Sequence, residues 1–240
     1  MLYIVGSPIG NLSDISLRAL EVLRQVNRIA AEDTRRIRIL LNRYEIEKPL
    51  LSYHEFNEAK RTAEIVQYLE QGEAIALISD AGMPSISDPG FRLISRCQQN
   101  QIPFTVIPGP SAVTTALVGS GLPVDRFFFG GFLPNKSGQR ERELRAALER
   151  ECSSIYFESP YRLLKTLEVL SALEPNRPVC VARELTKHFE EFRRGMASEV
   201  RDHFAAHPPR GEITLVISNP ERRKAVEQGS ATAEEDSQGA

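Results

Sequence analysis

Leu77-Ile78-Ser79-Asp80-Ala81-Gly82-Met83-Pro84-Ser85-Ile86-Ser87-Asp88-Pro89-Gly90 is the stretch on which the fold turns. An apolar strand, Ala74 to Ile78, breaks here into small and acidic residues. The chain then passes into a helical pattern at Phe91-Arg92-Leu93-Ile94. Open α/β sheets bind ligands where a strand ends in such a loop. The loop carries no lysine or arginine, so it is a poor cradle for phosphate. Its two aspartates and many backbone donors suit a neutral or cationic ligand rich in hydroxyl and amino groups. The plain alternative is a strand-to-helix connection with Asp88 as N-cap and Pro89 at N1. That accounts for Asp88, but the loop is longer than the usual ~2–6 residues.

The same alternation extends in both directions. Upstream, strands are expected at Leu2–Val5, 29–31 and 50–53. Helices follow each: one capped by Ser13 or Ser16, one capped by Thr34, and one running through Ala63, Val66 and Leu69. Downstream come a strand at 104–107 and a small-residue helix, Val113 to Val118. This order predicts an α/β fold with a mainly parallel sheet and helices on both faces. Gly119-Ser120-Gly121-Leu122-Pro123 marks a domain boundary, giving an N-terminal α/β domain over 1–118 and a C-terminal one over 122–219. The second half is read as strands at 126–129, 154–157, 179–182, 189–194 and 212–217, with helices at 139–150, 161–173 and 196–206. Residues 220–240 hold almost no large apolar side chain after Val226 and are read as a disordered tail.

The 240 residues are 41% hydrophobic, enough for a core in one large or two smaller domains. The formal charge is -2, so bulk electrostatics does not announce a nucleic-acid binder. Cys97, Cys152 and Cys180 are odd in number and far apart, which fits neither a disulfide framework nor a zinc site. No stretch resembles a signal peptide or a membrane span, and a cytoplasmic protein is expected.

Three turns follow first-half strands: Gly6-Ser7-Pro8-Ile9-Gly10, the 79–90 loop, and Pro108-Gly109-Pro110-Ser111-Ala112. Parallel strands put their C-terminal ends on one edge, so these turns should gather into one pocket. Neither G-x-G-x-x-G nor a Walker lysine is present, which weakens nicotinamide and P-loop readings. Glu32 and Asp33 end the second strand, where a ribose-binding acid would sit. Arg35, Arg36, Arg162, Arg193 and Arg194 lie near turns or strand ends and could line a groove for phosphates. Arg38 and Arg140 read as solvated helix faces. Phe127, Phe128, Phe129 and Phe132 read as core and interface rather than base-stacking platforms. His203 and His207 have zinc-like spacing but no evident third ligand, so no metal is expected. His54 follows a strand, in reach of a substrate or of local hydrogen bonds.

Nine motifs then occur in order, among them Ala31-Glu32-Asp33-Thr34-Arg35, Ser52-Tyr53-His54-Glu55, Gly131-Phe132-Leu133-Pro134, Glu158-Ser159-Pro160-Tyr161-Arg162, Arg183-Glu184-Leu185-Thr186-Lys187 and Arg210-Gly211-Glu212, beside the three turns. Together they resemble the small-subunit rRNA methyltransferase I branch of the tetrapyrrole methylase (class III methyltransferase) superfamily, over about residues 2–218. The resemblance implies two α/β domains with S-adenosylmethionine in the cleft between them, and a homodimer. It implies 2′-O-methylation of a cytidine ribose in the decoding region of 16S rRNA, within the 30S subunit. Carried over by position, Pro8, Asp80, Met83, Ser111, Ala112, Phe157, Leu185 and Ile213 would contact the cofactor. Glu158, Arg162, Glu184 and Lys187 form the expected catalytic set, with Glu32 a further candidate base. Arg35, Arg36, His54, Arg193 and Arg194 are the expected RNA contacts. Ser7, Tyr161 and Phe189 depart from the usual pattern, and Tyr161, where histidine is usual, is left outside the catalytic set.

Overall fold

The computed structural model describes residues 1–219; the tail expected at 220–240 lies outside the described residues. The chain forms two compact units, the first Met1–Ser111 and the second beginning at Ala112. No helix among the described residues is long and apolar enough to cross a membrane.

The first unit runs β1 (Leu2–Val5), α1 (Leu17–Gln25), β2 (Arg28–Ala31), α2 (Thr34–Arg43), β3 (Leu50–Ser52), α3 (Glu58–Glu70), β4 (Ile75–Ile78), α4 (Phe91–Gln99) and β5 (Phe104–Ile107). Its strands pair in the order β3-β2-β4-β1-β5, all parallel. α1 and α2 bury Leu20, Leu23, Ile37 and Leu40 on one face of the sheet, and α3 and α4 bury Ile65, Leu69 and Leu93 on the other. A strand covered on both faces needs no polar side chain, which is why all four residues of β4 are apolar and buried. β1 lies between β4 and β5, so the turns after these three strands leave neighbouring strand ends.

Two helix starts differ from the sequence reading. Asp33, not Thr34, caps α2, its carboxylate accepting from the Arg35 N–H at 2.9 Å. Gly90, not Asp88, is the N-cap of α4. Gly90 has φ 145, and a Cβ there would stand 2.6 Å from the Ser85 hydroxyl oxygen, so only glycine closes the loop onto the helix. Asp88 stays within the loop.

The second unit runs α5 (Ala112–Ser120), β6 (Phe127–Phe132), α6 (Ser137–Glu149), β7 (Ser153–Glu158), α7 (Pro160–Leu173), β8 (Pro178–Arg183), β9 (Glu191–Met196), α8 (Ala197–Ala206) and β10 (Ile213–Ile217). The strand order is β6-β7-β10-β8-β9. Only β6 and β7 are parallel; β10 runs antiparallel to both neighbours, and β8 and β9 form a hairpin. The expected mainly parallel sheet therefore holds for the first unit alone. α6, α7 and α8 cover one face through Leu144, Leu163, Leu167 and Phe204. α5 packs on β8 and β10 from outside that cluster and so belongs with the second sheet, ahead of the 119–123 stretch. Arg140, expected on a solvated face, is 6% exposed and donates to the Asn135 carbonyl at 3.4 Å.

The first unit's strand ends are locked by glycine. A Cβ on Gly6 would lie 2.7 Å from both Gly109 Cα and Met83 Sδ. Gly6→Ala is expected to cost about 1–3 kcal/mol by overpacking. Gly138→Ala, which meets nothing within 4 Å near the start of α6, should be neutral or stabilising. Urea unfolding of both variants checks the contrast.

Candidate functional site

The turns after β1, β4 and β5 do meet. The Gly6 N–H donates to the Ile107 carbonyl at 3.1 Å, and Ser7 and Gly82 exchange backbone hydrogen bonds of 2.9 and 3.2 Å as an isolated antiparallel bridge. Pro8 is buried beside this bridge, Met83 abuts Gly6, and Ser111 ends the turn after β5, with Ala112 opening α5. The loop after β4 is held in a costly shape. Ser85 and Ser87 have φ of 73 and 63, a left-handed region that side chains enter at a cost on the order of 1–3 kcal/mol each. Glu58 at the start of α3 anchors the loop's end, accepting from the Gly90 N–H at 3.2 Å and the Tyr53 hydroxyl at 3.0 Å. Sequence reading missed Glu58 because its partner lies 32 residues away. The Ser85 hydroxyl oxygen is buried with no partner.

Carboxylates gather at the ends of β2 and β4. Asp80 Oδ1 accepts from the Asp33 N–H at 2.9 Å, while the Glu32 carboxylate accepts from the Asp80 N–H, so adjacent strand ends hold each other reciprocally. Arg36 sits 3.5 Å from Asp80 Oδ2. Burial pushes the Glu32 carboxyl up, and the negative charges of Asp88 and Asp80 add to it. Burial, with Asp80 beside it, pushes Asp88 up to about 6 despite a hydrogen bond from Ser79. On its other side Asp88 borders a groove of about 620 Å³ that also includes Glu58, Phe91, Arg92 and Arg96.

In the second unit Glu158, Ile213, Arg183 and Glu191 form one cross-strand row at an edge of the sheet. Phe157 and Leu185 adjoin that row, as do Glu184 and Lys187 in the turn after β8. The Glu158 side chain is 0% exposed. Its Oε1 takes Arg162 at 2.7 Å and the Ser159 N–H at 2.7 Å, and its Oε2 takes the Thr166 hydroxyl at 2.6 Å. With no solvent exposure and three donors already on it, this carboxylate is engaged chiefly within the protein. Glu158 and Arg162 thus order the start of α7, Arg162 also reaching the Leu133 carbonyl at 3.4 Å and the Asn135 side chain.

Glu184 and Thr186 have φ of 50 and 64, the second severe for a β-branched residue. Lys187 Nζ reaches Glu184 at 2.8 Å and Glu212 at 3.0 Å, and Glu184 Oε1 also accepts from the Glu212 N–H at 2.9 Å. Burial opposes the charge on Glu184, but these donors outweigh it and hold its carboxyl below the usual range. Burial likewise opposes the Lys187 ammonium, and its two carboxylates outweigh it, keeping it protonated.

The basic residues separate into engaged and open. Arg35 is 88% exposed but grips Asp33 at 2.8 and 3.0 Å, holding that carboxyl at about 2. Arg194, expected as an RNA contact, is exposed and caps the C-terminus of α5, donating to the carbonyls of Gly119 and Ser120 at 3.1 Å. Arg193 is half-buried, its Nε without a partner. His54 is tied to Asn57 through Nε2 at 3.1 Å. His203 and His207 stack, and His203 faces Glu191 at 3.4 Å. No group of three His, Cys, Asp or Glu that could hold a metal lies among the described residues.

Asp88 carries a pH signature. Its carboxyl titrates near 3.8 when unconstrained and about 6 when folded, so folding retains a proton between these values and stability falls as pH rises through that window. Asp88→Asn should raise the thermal midpoint above pH 6, with the gain vanishing toward pH 4. Melting curves of both proteins across that range check it.

Comparison with known proteins agrees with this architecture. The chain matches the family described as Tetrapyrrole (Corrin/Porphyrin) Methylases over residues 1–201. It is 50% identical to ribosomal RNA small subunit methyltransferase I of Thermotoga maritima over 92% of this chain and 99% of that protein. It is also 50% identical to the protein of the same name from a Hydrogenobaculum species, over 90% of this chain and 95% of that one. Among solved structures, diphthine synthase shares the fold, with a TM-score of 0.70 at 14% identity over 90% of this chain and 89% of that one. The chain therefore belongs to the tetrapyrrole methylase family, in the group of ribosomal RNA small subunit methyltransferase I proteins.

Proposed function

We propose that this protein transfers a methyl group from S-adenosylmethionine to the 2′-oxygen of a cytidine ribose in the decoding region of 16S rRNA. It acts in the cytoplasm on the 30S subunit, as a homodimer. The observation that carries the reading is the locked meeting of the turns after β1, β4 and β5 beside the Glu32, Asp80 and Asp88 carboxylates. The residues present fit the donor. Carboxylates without a lysine in the 79–90 loop suit a ligand carrying a sulfonium and an ammonium. The unpartnered Ser85 hydroxyl and the backbone groups of the strained loop can meet its polar groups. Pro8, Asp80, Met83, Ser111 and Ala112 would hold it from these turns.

When bound, the sulfonium supplies an already activated methyl group. The chain's own work is to hold the ribose oxygen in line and to receive its proton. Among the candidate bases Glu32, Glu158 and Glu184, we assign the proton to Glu32, whose affinity for one is raised chiefly by burial. Glu158 is buried and engaged by three donors, and Glu184 is held ionised. Glu184 and Lys187 instead present a fixed ion pair with which a ribose or phosphate group can bond, and Glu158 with Arg162 positions α7. Arg35 and Arg36 remain exposed enough to meet phosphate; Arg193 and His54 would contribute only with local rearrangement. For the dimer, exposed Phe104 and Val106 on β5, and Phe127 and Phe128 on β6, supply apolar edges.

The test is transfer of label from S-adenosylmethionine to 30S subunits lacking the modification, followed by nucleoside analysis. Label should appear in 2′-O-methylcytidine, and Asp80→Ala should lower kcat/KM by about tenfold or more. Donor binding without transfer to 30S would redirect the reading to a small-molecule substrate.

A further inference from the structure

Two large aromatic side chains stand in solvent around the start of α7. Tyr161 is 92% exposed and Phe132, at the end of β6, is 61% exposed. Both are mounted rigidly. Tyr161 occupies the first turn of α7, its N–H bonded to the capping Ser159 hydroxyl at 3.3 Å. Phe132 leans edge-on against Phe157, centroids 5.3 Å apart. Arg162 ties the two segments together by reaching from α7 to Leu133 and Asn135, just beyond Phe132. Lys165 lies four residues from Tyr161 on the same face of α7, and Lys136 precedes α6. Both lysines are exposed, and neither makes an ion pair among the described residues. The segment between Leu133 and Gln139 carries no acid. Exposed rigid aromatics flanked by unpaired cations match single-stranded RNA, which offers base faces and phosphates together. An isologous contact between two copies of this patch would instead bring its own lysines towards one another.

We infer that the surface formed by Tyr161, Phe132, Lys136 and Lys165 is a docking site for unpaired RNA, with Tyr161 stacking on a base and the lysines taking the flanking phosphates. Phe132 thereby differs from its expected place in core or interface. The inference rests on the proposed function for the identity of the RNA, not for the existence of the surface.

The probe is a short, dye-labelled, single-stranded oligoribonucleotide covering the decoding-region cytidine, followed by fluorescence anisotropy. Tyr161→Ala should weaken binding roughly ten- to hundred-fold, and Tyr161→Phe should restore it to within about twofold. Lys136→Ala and Lys165→Ala should each reduce the slope of log affinity against log salt by about one. Affinity for S-adenosylmethionine, read by calorimetry, should stay unchanged in all four variants. Unchanged RNA affinity in Tyr161→Ala would overturn the inference, as would a shift of that variant to monomer in sedimentation, which would assign the surface to a second copy. If the wild-type protein methylates 30S and Tyr161→Ala does so with unaltered KM, the inference fails and the proposed function stands. If the variants lose RNA binding as expected but the wild type transfers no methyl to 30S, the docking site stands and the proposed function fails.

Discussion

Two backbones touching without side chains between them set the rest of the first unit in place. Gly6 and Gly109 approach until a single added carbon on either would stand under 3 Å from the other. That closeness draws the turns after β1 and β5 together and lets Ser7 pair with Gly82 in the turn after β4. Sheet order alone makes the strand ends neighbours; the missing Cβ atoms turn neighbours into one continuous surface of backbone donors and acceptors. The strained serines and the Gly90 closure are tolerable because this surface, and Glu58 behind it, fix both ends of the loop.

The two units treat buried carboxylates in opposite ways. In the second, Glu158 meets a guanidinium, an amide and a hydroxyl, and its charge is fully compensated inside the protein. Such a group organises structure and is strongly destabilising to leave unpaired. In the first, Glu32, Asp80 and Asp88 stand near one another with, among the described residues, Arg36 and a few neutral donors against them. The negative potential left over is a standing invitation to a cation.

Much of this was legible in the residues. Apolar runs of four with turns between them gave the first unit's parallel sheet, and the three special turns gave its locked edge. The second sheet's mixed direction was not legible, because β10 reads as an apolar run whichever way it points; its partners are set by register with β7 and β8. Cap positions were misassigned by one or two residues at Thr34 and Asp88, since a capping side chain and its neighbour look alike until φ is known. The carbonyl partners of Arg194 and the burial of Arg140 were illegible for a shared reason. Charge read along a sequence carries no information on whether a carbonyl waits nearby, and the α5 carbonyls that hold Arg194 lie about 75 residues from it. The exposure of Tyr161 and Phe132 was equally invisible, because aromatic residues in a strand or at a helix start are usually buried.

The strand order also governs when the chain can fold. β1 is made long before both its partners: Ile75–Ile78 on one side and Phe104–Ile107 on the other. As the chain leaves the ribosome, this apolar segment must wait for about a hundred residues before it can be enclosed on both edges. The β8–β9 hairpin, by contrast, closes over a seven-residue turn as soon as it emerges. The N-terminal unit is therefore the slow-forming one, and its exposed first strand is where synthesis is most open to misassociation and to chaperone capture.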